Sequence, residues 1–382
     1  MDVNASAQVI SQETPTLSGV PGARERNYGI DLLRMVSMLF VTILHVLGQG
    51  GVLSASAKLE EPLNNQTAWF LEIAAYCCVN CYALISGYVG VKSKFKYSNI
   101  VMLWLQVFFY TGIITLLFSH FYPEMVGEQQ IWNMIFPAVK NQYWYFTAYL
   151  PMFFFIPFFN YAVNHMPQKQ MRAMLIAAVI LFSFLPSVFR TELFGAKISS
   201  TFYISSGYNM MWLSVLYVIG AYVSKYNSFR SVPTVACFLT YLVAVIATHV
   251  FKFCTTNGSV AVNYTSPTIL IAGFALLIGF SRLKFPRPIR AIIKFMSPAA
   301  FGVYLIHVHP LIWEKFMKFR YLEFAEFETW YMVVAVLVAA LAIYLFCSAI
   351  DLVRHYIFKL LHLRKGLEWL ENKVCRDLWQ ER

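Results

Sequence analysis

The sequence YGIDLLRMVSMLFVTILHVL at residues 28–47 decides the fold of this protein. It is an apolar run of 20 residues, which is the length that a helix needs to cross a bilayer. Three ionisable side chains, Asp31, Arg34 and His45, interrupt the run. Ionisable groups are costly in hydrocarbon, so those found there are candidates for function. The run therefore predicts a membrane-spanning helix that carries part of a functional site.

The spacing of these three residues places them on one side of the helix. Arg34 and His45 are 11 positions apart, or about three helical turns, so both project from nearly the same face. At about 1.5 Å per residue they lie roughly 16 Å apart along the axis. Asp31 precedes Arg34 by three positions and is expected to pair with it. In the alternative interpretation, Arg34 extends to the inner interface and His45 only packs, which leaves the shared face unexplained.

The whole composition is that of a membrane protein. Of 382 residues, 59% are hydrophobic and 13% are charged, and the mean hydropathy is +0.57, whereas soluble domains carry about 25% charged residues. We therefore predict an all-α, polytopic membrane protein of about ten transmembrane helices. The predicted spans are 28–47, 67–90, 99–120, 142–163, 172–188, 209–224, 232–252, 264–281, 297–314 and 329–353.

The distribution of lysine and arginine orients these spans. With ten spans both termini share one side, and placing them in the cytoplasm puts 21 of the 30 basic residues inside and 8 outside, with Arg34 in the first span. This agrees with the positive-inside rule, so we predict that both termini are cytoplasmic. The same excess accounts for most of the net charge of +11, and no nucleic-acid partner is implied.

We divide the chain into a polar cytoplasmic segment (1–27), a transmembrane domain (28–355) and a cytoplasmic amphipathic tail (356–382). The first segment lacks the apolar core of a signal peptide, so the first span is expected to direct insertion. In the tail, apolar residues recur every three or four positions, which predicts an amphipathic helix on the inner membrane surface. The seven cysteines lack metal-ligand spacing, so no metal site is expected.

Three further ionisable residues within the predicted spans are candidates for the functional site. Glu72 lies at a depth similar to that of His45, and His307 and His309 lie near the middle of the ninth span. A histidine of near-neutral pKa suits proton abstraction from a hydroxyl, and Glu72 is a candidate to orient it, as carboxylates do in hydrolytic triads. P-loop, HExxH and GxSxG motifs are absent from the sequence, which disfavours nucleotide hydrolysis, zinc proteolysis and serine-hydrolase chemistry.

Each side of the membrane offers further candidate binding residues. On the inner side a basic rim could hold a phosphorylated cytosolic donor, although each member could instead serve topology alone. The members of this rim are Lys92, Lys94, Lys96, Arg282 and Arg287. On the outer side, the sequence QYWYFT at 142–147 is either an interfacial aromatic belt or a sugar-stacking platform. The charged stretch 315–328 is expected to be a solvated loop.

Five motifs occur in an order that resembles a known family. They are the D-x-x-R-x₁₀-H pattern of Asp31, Arg34 and His45, then SGY at 86–88, WYF at 144–146 followed by Pro157, LYVIG at 216–220, and FGVYLIH at 301–307. Over residues 28–355 the chain resembles the acyltransferase-three family of integral-membrane O-acyltransferases, in a stand-alone form without a fused extracytoplasmic hydrolase-like domain. It departs at 92–96, where KSKFK replaces the Arg-x-x-Arg-type cluster of many relatives.

The resemblance implies transfer of an acyl group, usually acetyl, from cytosolic acyl-CoA to a hydroxyl of an extracytoplasmic or lipid-linked glycan, in a multi-pass protein of the bacterial plasma membrane. It implies His45 as the general base or transient acyl carrier. Arg34 would orient the donor and stabilise negative charge on the thioester, and His307 and Glu72 would tune the histidine or relay protons. Acetyl-CoA is the expected donor, held by Arg34 and the basic rim, with no metal.

Two other classes of function remain open from the sequence. A transporter or flippase for a polar or glycan substrate would use the same buried Arg, His and Glu as a relay. The sequence shows neither an inverted repeat nor paired Gly/Pro-broken spans, which weakens this alternative. A non-catalytic partner in glycan export is the third possibility.

Overall fold

The computed structural model describes residues 26–189, 202, 204–227, 229–255 and 258–374. These residues form helices joined by loops, and no strand occurs among them, which confirms the all-α fold class. The helices are Tyr28–Leu47 (α1), Val52–Ser56 (α2), Pro62–Ala75 (α3), Cys78–Gly90 (α4), Tyr97–Phe121 (α5), Glu128–Ile135 (α6), Trp144–His165 (α7), Gln168–Val179 (α8), Leu185–Phe189 (α9), Met210–Tyr226 (α10), Thr234–Cys254 (α11), Pro267–Ser281 (α12), Arg287–Met296 (α13), Ala300–His307 (α14), Pro310–Ile312 (α15), Thr329–Leu360 (α16) and Leu363–Val374 (α17).

Within the described ranges, eight helical stretches are long and apolar enough to cross a membrane. This confirms a polytopic membrane protein. All ten predicted spans contain helix, but α10 and α12 have 17 and 15 residues and are not among the eight. The number of spans and the cytoplasmic position of both termini therefore stay predictions. On that predicted orientation the N-terminal end of α1 is its inner end and the C-terminal end is its outer end.

The first helix, α1, lies in the middle of the bundle and contacts α3, α4, α12, α14 and α16. Its start is fixed by the N-cap residue Asn27, whose side-chain oxygen accepts the N–H groups of Gly29 and Ile30 at 3.0 and 3.1 Å. Such a cap satisfies donors that the first helical turn would leave unpaired. The amide of Asn27 also donates to the carbonyl of Ser281 at 2.7 Å, which ties the inner end of α1 to α12.

Two glycines allow α4 and α10 to pack backbone against backbone. Gly87 faces the carbonyl of Tyr217 and Gly220 faces the carbonyl of Leu84, so closely that a Cβ at either position would collide. Without a hydrophobic force between helices in lipid, small residues of this kind are what permit close packing. Gly87, the central residue of the SGY motif, therefore serves a close approach of two helices.

Two predicted spans are divided in the structure. The ninth, predicted as 297–314, ends as a helix at His307, because the residue before Pro310 is disfavoured in helical conformation. His309 accordingly has φ −56° and ψ 129°, and its Nδ1 accepts the N–H of Leu311 at 3.3 Å. The second, predicted as 67–90, is interrupted between α3 and α4 at Tyr76 and Cys77.

The predicted division of the chain is only partly described. Residues 1–25 and 375–382 lie outside the described residues, so most of the polar segment and the end of the tail stay predictions. The last long helix, α16, continues to Leu360, beyond the predicted end at 353. The amphipathic helix of the tail, α17, begins at Leu363.

The outer end of α1 is covered by the stretch 315–328. Backbone N–H groups of Phe319 and Tyr321 donate to the carbonyls of Gln49 and Gly50 at 3.0 and 2.9 Å. Ala325 is fully buried. The stretch is therefore only partly the solvated loop that was predicted: its acidic side chains and also Phe316 and Phe319 are exposed, whereas Met317 and Ala325 are buried.

Candidate active site

His45 and His307 form a direct hydrogen bond between α1 and α14. His45 Nδ1 and His307 Nε2 are 2.8 Å apart, and His307 Nδ1 lies 2.5 Å from the carbonyl oxygen of Val303. A carbonyl can only accept, so His307 Nδ1 carries a proton, and in neutral His307 the Nε2 accepts from His45 Nδ1. This assignment leaves the lone pair of His45 on Nε2. The pair thus presents one basic nitrogen, which is what general-base chemistry requires.

The surroundings of this histidine pair are apolar and narrow. His307 is 1% exposed, and the ring of Trp313 meets His45 edge-on with centroids 5.0 Å apart. His45 lines a cavity of about 50 Å³. The other lining residues are Met38, Val41, Leu44, Val79, Tyr82, Trp144, Tyr145, Tyr264, Phe301 and Tyr304.

Aromatic residues extend from this cavity toward the outer side. Trp144 stacks on Tyr264 with ring centroids 5.9 Å apart and planes at 21°, and it meets Tyr208 at 4.5 Å. The Tyr208 side chain is 45% exposed. The first aromatic residues of α7 therefore do not only face lipid, because Trp144 and Tyr145 also form part of the cavity wall.

The inner part of the same helix face is charged. Arg34 NH1 donates to Asp31 Oδ1 at 2.8 Å, which confirms the predicted pair. Arg26 donates to Asp31 Oδ2 at 2.5 Å and to the hydroxyl of Ser297 at 3.0 Å. One carboxylate thus holds two guanidinium groups, and the Arg34 side chain keeps 31% of its surface exposed.

Arg34 lines two cavities near the inner end of α1. One, of about 220 Å³, is bounded by Arg26, Asp31 and Tyr88 among others. The second, of about 240 Å³, includes Lys94 and Lys96 in its wall. The structure therefore brings three predicted donor-binding cations, Arg34, Lys94 and Lys96, around one space.

The tail helix α17 contacts this cationic region. Lys96 Nζ donates to Glu368 at 3.1 Å, and Glu371 accepts the N–H groups of Tyr97 and Ser98 at 2.6 and 3.3 Å. Glu371 therefore satisfies the free donors at the start of α5. The hydrogen bond from Lys96, together with the charge of that lysine, lowers the pKa of the Glu368 carboxyl.

Three tyrosines lie between the inner and outer cavities. The hydroxyl of Tyr82 donates to the carbonyl of Arg34 at 2.8 Å, while its ring lines the His45 cavity. Tyr145 lines the outer cavity and Tyr149 the inner one, and their rings stack at 6.2 Å. The two sides of the site are therefore separate cavities on one helix face, divided by aromatic side chains.

Other predicted site residues lie apart from these cavities. Glu72 does not orient His45, because His307 holds that position; Glu72 Oε2 is buried and has no hydrogen-bond partner within the described residues. Arg282 donates to the carbonyl of Phe229, and Arg287 is an exposed residue at the start of α13. Lys92 is exposed beyond α4. None of these four residues lines the cavities described above.

Within the described ranges, no group of three or more His, Cys, Asp or Glu side chains is placed to hold a metal ion. The arrangement that the chain does present is a base beside a small apolar cavity and cations around larger ones.

A comparison with protein families matches the acyltransferase domain of the acyltransferase-three family over residues 27–349. The chain belongs to the acyltransferase-three family. It is therefore a membrane acyltransferase. No curated protein sequence and no solved structure showed a significant match.

For this acyltransferase, several contacts at the site were not expected from sequence. Arg26 was counted as a topology signal, yet it shares Asp31 with Arg34. Tyr82 was not singled out, although it contacts both the arginine and the histidine regions. Pro310 was the available signal for the helix end that presents His307, since proline disfavours helix in the preceding residue.

Proposed function

We propose that this acyltransferase moves an acetyl group from cytosolic acetyl-CoA to a hydroxyl of an extracytoplasmic or lipid-linked glycan, in the bacterial plasma membrane. The observation that carries the proposal is the stacking of two unlike cavities along one face of α1. The inner cavities have Arg34, Lys94 and Lys96 in their walls, which suits the phosphates of CoA. The outer cavity has the His45 base.

In the reaction the acetyl group leaves the sulfur of the CoA thioester and forms an ester with the oxygen of the acceptor hydroxyl. His45 Nε2 takes the proton of the acceptor hydroxyl while that oxygen attacks the thioester carbonyl. The carbon–sulfur bond breaks, and the CoA thiolate leaves with the proton that the imidazolium returns. In the two-step form, His45 Nε2 first attacks the thioester and CoA leaves as its thiolate. The hydroxyl oxygen then attacks the acetyl group, the bond between that group and Nε2 breaks, and the freed Nε2 takes the hydroxyl proton.

The distance between Arg34 and His45 indicates that the two residues have different roles. Arg34 lies roughly 16 Å along the helix from His45, and it is paired with Asp31 on the inner side. It is therefore too far from His45 to stabilise charge on the reacting carbonyl, and we assign it to the charged part of the donor. His307 is a positioning residue, because it fixes the tautomer of His45.

The path of the donor passes the three tyrosines. The pantetheine arm is the long uncharged part of CoA between its phosphates and its thioester, so it is the part that would lie between Arg34 and His45. The rings of Tyr82 and Tyr145 would turn to admit it at the end of the His45 cavity that is nearer to Arg34, and the aliphatic side chains of the cavity wall would keep their places. On the outer side, the stacked rings of Trp144 and Tyr264 offer an aromatic platform on which the apolar face of a sugar could rest.

The test uses inside-out membrane vesicles, which expose the cytoplasmic face, and acetyl-CoA labelled in the acetyl group. We expect base-labile label in the polysaccharide or lipid-linked glycan fraction together with release of free CoA. Vesicles without the protein are the control. If the label appears only as intact substrate moved across the membrane without CoA release, the protein is a transporter and the proposal is wrong.

A further inference from the structure

The cavity beside His45 is small enough to discriminate between acyl groups. Its volume is about 50 Å³, and one water-sized group needs about 10–15 Å³ measured in this way. It therefore holds roughly three to five non-hydrogen atoms. An acetyl group has three such atoms, a butyryl group has five, and a succinyl group has seven. Acetyl fits with room to spare, butyryl is at the limit and succinyl exceeds it.

The chemistry of the cavity wall also matters. Apart from His45, the lining residues are aliphatic or aromatic, and neither a lysine nor an arginine is among them. A carboxylate placed in such a wall would lose its hydration and meet tyrosine hydroxyls but no cation, so its charge would stay uncompensated, which is unfavourable. The nearest cation along this face of α1, Arg34, belongs to the inner cavities and is paired with Asp31. Succinyl is therefore disfavoured by charge as well as by size.

Three aliphatic side chains define the narrow dimension of this space. Met38 and Val41 lie between Arg34 and His45 on the same face of α1, and Val79 lies in the first turn of α4. They are only 3, 8 and 6% exposed. Because protein interiors are close-packed, side chains held in this way give little room for a longer chain. None of the three carries a group that could take part in proton transfer.

We propose that Met38, Val41 and Val79 form an acyl-length filter that admits acetyl and propionyl and excludes longer or charged acyl groups. This inference rests on the proposed function, because it concerns the acyl group that reaches His45. It assigns to these side chains a role in specificity and leaves the chemical step to the histidine pair. Shortening them enlarges the space on the wall of the cavity without removing any catalytic group.

The test compares acyl-CoA donors of increasing length in the vesicle assay. We use acetyl-, propionyl-, butyryl- and succinyl-CoA, each labelled in the acyl group, with wild type, Met38→Ala and Val79→Ala. For wild type we expect propionyl-CoA, which still fits, to be used at a rate similar to that of acetyl-CoA. We expect the rate with butyryl-CoA to be at least about tenfold lower, which is the scale on which apolar pockets discriminate by one methylene. For Met38→Ala we expect the butyryl-to-acetyl ratio to rise about tenfold, and for Val79→Ala by a smaller factor. Succinyl-CoA should remain inactive in both, since neither change supplies a cation.

Matched variants separate cavity size from general loosening of the core. Met152→Ala and Val107→Ala remove the same atoms from fully buried positions on α7 and α5 that do not line the cavity. We expect their donor ratios to equal that of wild type. The filter is refuted if wild type uses acetyl and butyryl equally, or if the control variants widen donor range as much as Met38→Ala does. Should no acyl-CoA support transfer in wild type, the proposed function itself fails, which is a different result from an unselective transfer.

Discussion

The inner end of the α1 face is charged and spacious, whereas its outer end is apolar and narrow. Around Arg34 there are cavities of about 240 and 220 Å³, and the Arg34 side chain is 31% exposed. Around His45 the cavity is about 50 Å³, and its partner His307 is 1% exposed. One helix thus presents two environments, separated by about three turns.

The difference in charge and burial between the two ends of α1 indicates a separate role for each end in one reaction. Partly exposed ion pairs contribute little to stability and are readily exchanged, so the Arg34–Asp31 pair can give way to an anionic ligand. A buried hydrogen bond between two rings is costly to break, so the histidine pair holds a fixed geometry. We therefore expect changes at the inner end to alter donor affinity and changes at the outer end to alter the rate of the chemical step.

The largest expected effect is at His45. In His45→Ala the base is lost, and we expect kcat for acetyl transfer to fall by at least about 10²-fold, since general-base catalysis contributes roughly 10²–10⁴. The KM for acetyl-CoA should change little, because the inner cavities are intact. The measurement is labelled acetyl transfer in vesicles, normalised to inserted protein.

His120→Ala is the matched control for this change, because His120 is an exposed histidine in the last turn of α5. It should keep wild-type activity. Near-normal transfer by His45→Ala would show that the outer end of α1 takes no part in the chemical step.

At the inner end, Arg34→Lys keeps the positive charge but loses the planar fork that binds carboxylate and phosphate with two hydrogen bonds. We expect KM for acetyl-CoA to rise about 10- to 100-fold while kcat stays within about threefold. Steady-state kinetics over a range of acetyl-CoA concentrations separates the two constants. Arg172→Lys, at an exposed site on α8, is the control.

A change in kcat and not in KM for Arg34→Lys would contradict the separate roles of the two ends of α1. If kcat falls and KM does not, then Arg34 acts at the reacting carbonyl, and the separation of the two ends along α1 is not functional. Loss of protein from the membrane in Arg34→Lys alone would instead assign the residue to insertion and topology.

A third change tests whether His307 acts through His45. His307→Gln can place a side-chain oxygen where it accepts the proton of His45 Nδ1, whereas His307→Leu has a similar size and no acceptor. We expect kcat to fall about 10- to 100-fold in His307→Leu, which is the range for loss of a group that orients a metal-bound histidine, and to recover partly in His307→Gln. The KM for acetyl-CoA should not move in either variant.

If His307 served packing alone, the activities of the two variants would follow a different order. Leucine would then be tolerated at least as well as glutamine, because it is the better residue for an apolar site. Equal activity of the two variants, measured at equal amounts of inserted protein, would remove His307 from the positioning role.

The helices and the shared face of Arg34 and His45 can be predicted from the sequence better than the contacts between helices. The helices follow from apolar runs, and the shared face of Arg34 and His45 follows from a spacing of three turns. The Asp31–Arg34 pair is local, so its three-residue spacing is enough. Each of these depends on residues close in the chain, where helix geometry alone fixes the distance.

The His45–His307 bond was not predicted, because it joins positions 262 residues apart. Their meeting depends on how α14 packs against α1 and on where Pro310 ends the helix, and helical spacing does not fix the former. His307 is predicted only as a residue that tunes His45 or relays protons, and Glu72 is the predicted orienting residue because its depth matches that of His45. Depth, however, does not fix direction around a helix. The contact between Glu368 and Lys96 depends in the same way on how the tail helix docks.

The smallest expected effect concerns that tail, which adds an acidic partner to the inner end only. Glu368→Gln removes a competitor for Lys96, so we expect KM for acetyl-CoA to fall by at most a few-fold, because an exposed ion pair contributes little. Glu314→Gln is the matched control and should leave KM unchanged, since Glu314, at the edge of the stretch that covers the outer end of α1, pairs with Lys318 at 2.9 Å. A rise in KM for Glu368→Gln would show that the glutamate holds Lys96 in place for the donor.

The same contact gives the tail a pH dependence. Lys96 lowers the pKa of the Glu368 carboxyl below its ordinary value of 4.5, so docking of α17 favours the ionised form. The contribution of the Glu368–Lys96 pair to docking is fully present above the ordinary pKa of the carboxyl, and it is lost as pH falls through the lowered pKa. We therefore expect amide-exchange protection of residues 363–374 to be constant from pH 7 to about 5 and to decrease below pH 4.5, and to show no such decrease in Glu368→Gln. Equal acid sensitivity in that variant would place the titrating group elsewhere.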